Sequence, residues 1–492
     1  MRSPARLGWI GVLLSIGGCA EEDRKPASRP ALALEACQLG AAGSASRLAA
    51  RCGVFRVPED RSKPDGRSID LKIAVVPAVS RSPARDPLVF LTGGPGQAAT
   101  ESYPQLAPAF RRINRDRDVV LVDQRGTGGS NALRCPEKEG QDLALLDENR
   151  IGPWVSRCLE VLTGDPRFYT TSIAMTDLDA VREALGYERV DLYGLSYGTR
   201  AALTYLRMFP ERVRAVILDG VVPPTEVLGL DVAADAQRAI DLVIARCSSD
   251  PRCREAFPDL SKDLEAVMEG LATPVTMTLR HPRTGETEDL LFSREMAAYA
   301  IRLLSYSQET ASLVPLLLSS AARSDLAPLA AQFLIVTARV GETMAEGMGI
   351  SVVCSEDFPF FEEEAIAERN RDTYLGALQT DSLKLVCPLW PRGDVSADFK
   401  TPVPPSAPVL LLSGEADPVT PPENGELTAS QLGPKALHLV ARGQGHIVIH
   451  RGCIPQLAAD FIERGSFEHL DTSCVEEISP QPFFLGYSGP TP

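Results

Sequence analysis

Short apolar runs alternating with longer amphipathic stretches organise most of this chain. Val54 to Val57 and Ile69 to Val76 are strand-like and flank the turn residues Pro64, Asp65 and Gly66, which predicts an antiparallel hairpin at one edge of a sheet. Leu88 to Leu91, Val119 to Val122, Arg189 to Tyr193 and Val213 to Leu218 read as short buried strands. Helical patterns fall between them, among them Thr176 to Leu185, with Thr176 as N-cap and Gly186 as the stop. Strand then helix, repeated, is the signature of a mostly parallel sheet with helices on both faces. The pattern breaks at about Val222. From there to Pro405, Leu, Ala and Met recur at helical spacing, with one polar strand-like interlude near Val275 to Leu291. A helical block between two sheet strands predicts a cap over the carboxyl edge of the sheet. Val409 to Leu412, Ala436 to Val440 and a helix at Ile454 to Arg464 resume the core.

The first eighteen residues are a targeting segment: Arg2 and Arg6 precede an apolar stretch, Leu7 to Ile16, that is too short to span a bilayer. Ile16-Gly17-Gly18-Cys19 resembles a bacterial lipobox, which implies cleavage before Cys19 and lipidation of its thiol. An ordinary secretory signal is the alternative. The predicted organisation is a lipoprotein-type signal (1–18), a flexible tether (19–36), a first core part (37–221), the mainly helical cap (222–405), a second core part with a C-terminal disulfide region (406–478) and a tail (479–492).

Charge and cysteines narrow the function classes. With 50 Lys and Arg against 65 Asp and Glu the net charge is −15, a poor match for nucleic acid or an anionic membrane surface. Membrane contact is expected through the lipid anchor only. Beyond Cys19, ten of the 11 cysteines remain, an even number suited to disulfides in an oxidising compartment. Sequence leaves their connectivity open. Closure of the shortest loops pairs Cys37 with Cys52, Cys135 with Cys158, Cys247 with Cys253, Cys354 with Cys387, and Cys453 with Cys474. Neither a Cys-x-x-Cys nor a His-Glu-x-x-His spacing occurs, so no metal or other cofactor is expected.

The candidate chemistry centres on Gly194-Leu195-Ser196-Tyr197-Gly198, the Gly-x-Ser-x-Gly spacing of a nucleophile elbow between a strand and a helix. A serine there needs a base, itself oriented by an acid. Of the five histidines, His446 follows the last strand on a loop, whereas His438 lies within that strand and His450 falls one turn further on; His281 and His469 sit in cap-like and tail contexts. Asp417, on the loop after Val409 to Leu412, is the candidate acid, with Asp219 as its rival. The order Ser196, Asp417, His446 is the one this kind of fold requires. Thr92-Gly93-Gly94-Pro95-Gly96 lacks the Lys-Ser/Thr ending of a phosphate loop, and suits a backbone donor: the N–H of Gly94 joins that of Tyr197 to form an oxyanion hole. The Gly126 to Gly129 turn is expected to place Arg125 under this loop.

Gly93-Gly94-Pro95-Gly96, Asp123-Gln124-Arg125-Gly126, Gly194-Leu195-Ser196-Tyr197-Gly198, Gly414-Glu415-Ala416-Asp417 and Gly443-Gln444-Gly445-His446, in this order, resemble the α/β-hydrolase serine peptidases related to prolyl iminopeptidase and secreted tripeptidyl aminopeptidase. The resemblance spans about Cys37 to Cys474, with one departure: many relatives carry His where Thr92 stands. It implies an exported serine exopeptidase acting on peptides near a free N-terminus. An esterase or other acyl hydrolase is the second expectation, and a non-catalytic binding lipoprotein the third. Cap acids hold the substrate amine in related aminopeptidases, and Glu356 and Asp357, after Val352-Val353-Cys354-Ser355, are the candidates for that role here. Alternatively they begin a solvated acidic face that continues through Glu362, Glu363 and Glu364.

Overall fold

A computed structural model describes residues 32–40, 47–135 and 148–488; the targeting segment, Cys19 and most of the tether lie outside them. The core strands are β1 (Glu35–Leu39), β2 (Leu48–Pro58), β3 (Ser68–Val76), β4 (Leu88–Leu91), β5 (Val119–Val122), β6 (Val190–Leu195) and β7 (Val213–Asp219). The cap carries a separate hairpin, β8 (Val275–Arg280) and β9 (Thr287–Phe292), and the core resumes with β10 (Val409–Gly414) and β11 (Ala436–Ala441). The main sheet runs β1-β2-β3-β5-β4-β6-β7-β10-β11. Pairing is antiparallel from β1 to β5 and parallel from β5 onward.

The central strands β4 and β5 are apolar and buried at every position because both faces are covered, and the side chains of the parallel strands divide by parity between two layers. Val89, Leu91, Val409 and Leu411 pack with Leu178, Val181, Leu203 and Leu206 on one face. Leu88, Phe90, Leu410 and Leu412 face the other, where Phe90, Tyr103, Phe110 and Tyr193 form an aromatic cluster. The edge strand beyond the expected hairpin is β1, fastened to β2 by Cys37–Cys52.

The cap lies between β7 and β10 and has its own core, in which Ile240, Leu264, Phe292, Ile301 and Leu318 are buried. Five disulfides join the sequence neighbours: Cys37–Cys52, Cys135–Cys158, Cys247–Cys253, Cys354–Cys387 and Cys453–Cys474. The helix expected at Thr176 to Leu185 begins instead at Thr171. Its first turn is stabilised from outside, by Glu356 Oε1 accepting the Thr171 N–H at 2.6 Å, while Thr176 donates its hydroxyl to Ser172 O inside the helix. Gly186 ends it in the left-handed conformation, at φ +82°. Among the described residues, no helix is long and apolar enough to cross a membrane.

Candidate active site

Ser196 occupies the sharp corner between β6 and the helix Tyr197–Met208, at φ 54° and ψ −128°. So tight a corner explains the glycines around it: a Cβ on Gly194 would sit 2.4 Å from Gly198 O, and one on Gly198 would sit 2.2 Å from Leu91 O. The Ser196 N–H donates to Asp219 O at 2.8 Å, tying the corner to the end of β7. Tyr197 is the first helical residue, so its N–H has no intrahelical acceptor and lies at the positive end of the helix.

The Gly93-Gly94-Pro95-Gly96 loop lies directly against the serine, since a Cβ on Gly93 would come within 3.0 Å of Ser196 Cβ. Two contacts hold this loop. Ala345 N–H, from the cap, donates to Gly96 O at 2.9 Å beside a bridge between Gln97 and Met344. Thr92 donates its hydroxyl to Gln97 Oε1 at 3.2 Å, so the residue that departs from the family pattern keeps a local polar partner. Arg125 serves elsewhere than under this loop. It is fully buried, paired with Asp177 at 2.6 Å and donating to Glu59 O and Phe168 O, and so ties the Gly126 turn to the helix Thr171–Leu185.

The acid and the base hang from neighbouring parallel strands, Asp417 after β10 and His446 after β11. Asp417 Oδ2 lies 2.8 Å from His446 Nδ1. Its carboxylate also accepts the Val419 and Thr420 N–H groups at 2.8 and 3.0 Å and the Thr420 hydroxyl at 2.8 Å. Burial alone would raise the Asp417 pKa, but His446 and the Thr420 contacts hold it below the ordinary carboxylate value. The imidazole reaches toward the elbow: a Cβ on Gly220, the residue after the Asp219 carbonyl that holds Ser196, would be 3.0 Å from His446 Cε1. Neither His446 Nε2 nor the Ser196 hydroxyl has a hydrogen-bond partner among the described residues, and Ser196 is 9 % exposed.

The rival acid has a different position. Asp219 accepts the N–H groups of Val448 and Ile449 at 2.9 and 2.8 Å and the Tyr193 hydroxyl at 2.9 Å. It anchors the loop that carries His446, and burial pushes its pKa up to about 6. His450 lies in an exposed turn, outside any helix. His438 Nε2 meets Ser413 Oγ at 2.9 Å, His281 Nδ1 accepts backbone N–H groups of its hairpin turn, and His469 is exposed.

Glu356 and Asp357 require correction on both counts, because they neither face solvent nor offer an open acceptor. Each is 0 % exposed. Glu356 accepts the N–H and hydroxyl of Thr171 at 2.6 and 2.8 Å. Asp357 pairs through both oxygens with Arg200 at 2.9 Å, accepts the Leu228 N–H at 3.0 Å and takes a further ion pair from Lys400. All four oxygens are committed. Three other carboxylates are half-buried: Asp235, which interacts electrostatically with Asp417, and its neighbours Glu226 and Asp231. Glu226 Oε2 accepts from Asn424 Nδ2 at 2.8 Å, and Asp231 Oδ1 pairs with Arg369 at 2.8 Å. Asp235 lies one turn before Arg238, whose guanidinium donates to Glu415 O and Asp417 O at 3.0 and 3.1 Å. Burial, with Asp231 and Asp417 nearby, pushes its pKa up to about 8. Burial likewise holds Glu226 well above the ordinary value. In sequence these three look like ordinary acids at the start of a cap helix. Thr420 had a signal, since an Asp three residues before a Thr is a common side-chain-to-backbone turn.

Comparison with known proteins bears on the fold. Residues 86–254 match the family model described as alpha/beta hydrolase fold, and residues 373–474 match the one described as TAP-like protein. Serine protease Hip1 of Mycobacterium tuberculosis (strain ATCC 25618 / H37Rv) is 25% identical over 461 residues, 86% of this chain and 87% of its own. Tripeptidyl aminopeptidase of Streptomyces lividans is 27% identical over 192 residues, 36% of each chain. Carboxylesterase B of Mycobacterium tuberculosis (strain CDC 1551 / Oshkosh) is 26% identical over 262 residues, 48% of this chain and 49% of its own. The chain has the α/β-hydrolase fold, with a TAP-like C-terminal part, and is a hydrolase.

Proposed function

We propose that this α/β hydrolase is an exported serine exopeptidase that cleaves peptides near a free N-terminus, with Ser196 as nucleophile, His446 as general base and Asp417 as the acid that orients it. The observation that carries the reading is the Asp417–His446 contact at 2.8 Å. It occupies Nδ1 and leaves Nε2 as the free nitrogen beside the elbow. In this mechanism Ser196 Oγ bonds to the substrate carbonyl carbon as its proton passes to His446 Nε2. The carbonyl oxygen takes the negative charge, facing the N–H groups of Gly94 and Tyr197. His446 then returns the proton to the leaving amine as the C–N bond breaks, and water repeats the sequence on the acyl-enzyme. No metal or other cofactor takes part.

The ammonium of a peptide N-terminus would be received by Asp235 and Glu226, with Asp231 beside them, in place of Glu356 and Asp357. Burial keeps these carboxyls reluctant to ionise on their own, and an incoming cation offsets that cost. Five disulfides suit the oxidising space reached by export, and lipidation at Cys19 would hold the enzyme on the cell envelope. The likeness to a carboxylesterase favours the esterase as the second reading. Fluorophosphonate labelling, lost in Ser196→Ala, separates an enzyme from a binding lipoprotein. Hydrolysis of a peptide and its N-acetylated twin separates the other two: equal rates would leave the esterase reading in front.

A further inference from the structure

The loop that carries His446 is held from below by Asp219 and from above by the cap. Just past the helix Arg294–Leu304, the Tyr306 carbonyl accepts the His446 N–H at 2.7 Å. The approach is close enough to demand glycine next door, since a Cβ on Gly445 would lie 2.5 Å from Tyr306 O. The Tyr306 ring stands 5.4 Å from the imidazole, centroid to centroid, at an interplanar angle of 75°. That edge-to-face geometry is favourable for two aromatic rings and restricts rotation of the smaller one. Tyr306 is in turn supported by Arg302, whose guanidinium carbon lies 5.4 Å from the Tyr306 ring centroid. The same cap segment grips the loop at two more points, Gln444 Nε2 donating to Gln308 Oε1 at 3.1 Å and Arg451 Nη2 to Glu309 Oε2 at 2.7 Å.

We propose that Tyr306 is a positioning residue for the general base: its carbonyl fixes the height of His446 and its ring fixes the plane of the imidazole, so that Nε2 faces Ser196 when Nδ1 is held by Asp417. Asp417 and Thr420 contact the ring only at Nδ1, and one hydrogen-bonded atom leaves rotation about that bond free. The perpendicular Tyr306 ring supplies the missing restraint. The cap is then more than a cover over the substrate, because it completes the orientation of a group that moves protons. This inference rests on the triad reading above.

The test is the reaction of the purified protein with a fluorophosphonate probe, resolved into a maximal inactivation rate and a half-saturating probe concentration. Labelling of wild type, abolished in His446→Ala, establishes the triad reading by itself; failure there would sink that reading before Tyr306 is considered. Given that labelling, Tyr306→Phe should stay within about 3-fold of wild type in both quantities, since it keeps the ring and the main chain. Tyr306→Ala should lower the maximal rate by about 10- to 100-fold, the scale of a small misplacement of a catalytic group, with half-saturation unchanged. The downfield proton resonance of the imidazole Nδ1–H should broaden or shift in Tyr306→Ala and be restored in Tyr306→Phe. Should the alanine variant not fold, Tyr306→Leu keeps side-chain bulk without the ring and should show the same loss of maximal rate. An unchanged maximal rate in the ring-less variant, a loss confined to half-saturation, or a phenylalanine variant as slow as the alanine one would each overturn the proposal.

Discussion

Asp417 Oδ2 and His446 Nδ1 stand 2.8 Å apart at the ends of two adjacent parallel strands, while Asp219, one strand away, spends its carboxylate on the backbone N–H groups of Val448 and Ile449. Both acids serve the same histidine, one through its ring and the other through its loop.

Substitution separates these roles. Asp417→Asn is expected to lower kcat by up to about 10⁴-fold with substrate binding little changed, because the amide no longer favours the productive tautomer or the imidazolium. Asp219→Asn leaves that contact in place and removes an acceptor from a buried loop, at a cost of about 1–3 kcal/mol in stability. Thermal melts and steady-state kinetics on both variants check this, and the opposite assignment of effects would show the acid to be misplaced.

His446→Ala should abolish acyl-enzyme formation, and His450→Ala should retain most of it. Among the described residues, His446 is hydrogen-bonded to the buried Asp417, whereas His450 lies in an exposed turn four positions on. Burst kinetics with an activated ester report acyl-enzyme directly.

Glu356 yields a prediction in pH. Its pKa is raised from 4.5 to about 7, chiefly by burial, so the folded protein holds this proton more tightly than the unfolded chain does. The resulting stabilisation is fully present below about 4.5, declines as pH rises toward about 7, and is constant above. Glu356→Gln, which can keep both contacts to Thr171, removes the dependence. The melting temperature of the variant minus that of wild type should therefore climb between pH 5 and pH 7.5 and then level off. A difference that is flat with pH would mean that Glu356 is ionised throughout.

The amine site has its own contrast. Asp235→Asn and Glu226→Gln should each reduce kcat/KM on a free-amine peptide by roughly 2 kcal/mol or more, with little effect on its acetylated twin. Glu356→Gln should show no such selectivity. Equal losses on both peptides would remove these carboxylates from substrate recognition.

The positions of Ser196, Asp417 and His446 were legible in the sequence because each is a local event: a strand ends, and the residue that follows it lies at the carboxyl edge of the sheet. Strand positions at Leu88–Leu91 and Val119–Val122 followed from four-residue apolar runs whose two faces are both covered. What could not be read was partnership across the chain. Glu356 and Asp357 are acids in a mostly buried helix, and nothing near them in sequence announces Thr171, Arg200 or Lys400 as partners. Arg200 itself belongs to the elbow helix, ten successive residues of which, Tyr197 through Leu206, are buried. An arginine inside such a helix signals a buried counter-ion, but not which one. Thr171 was likewise missed as a helix start, because its stabilising acceptor comes from the cap.

The place of the cap in the chain also sets an order of events in time. Ser196 precedes it, whereas Asp417 and His446 follow it, so a polypeptide emerging from the ribosome carries its proposed nucleophile long before its proposed base. On that reading the serine lacks a base throughout that interval. On the proposed triad, catalytic power would arrive only when β10 and β11 join the sheet beside β7 and the finished cap meets the last loop through Tyr306, a closure between residues far apart in sequence and therefore late in folding.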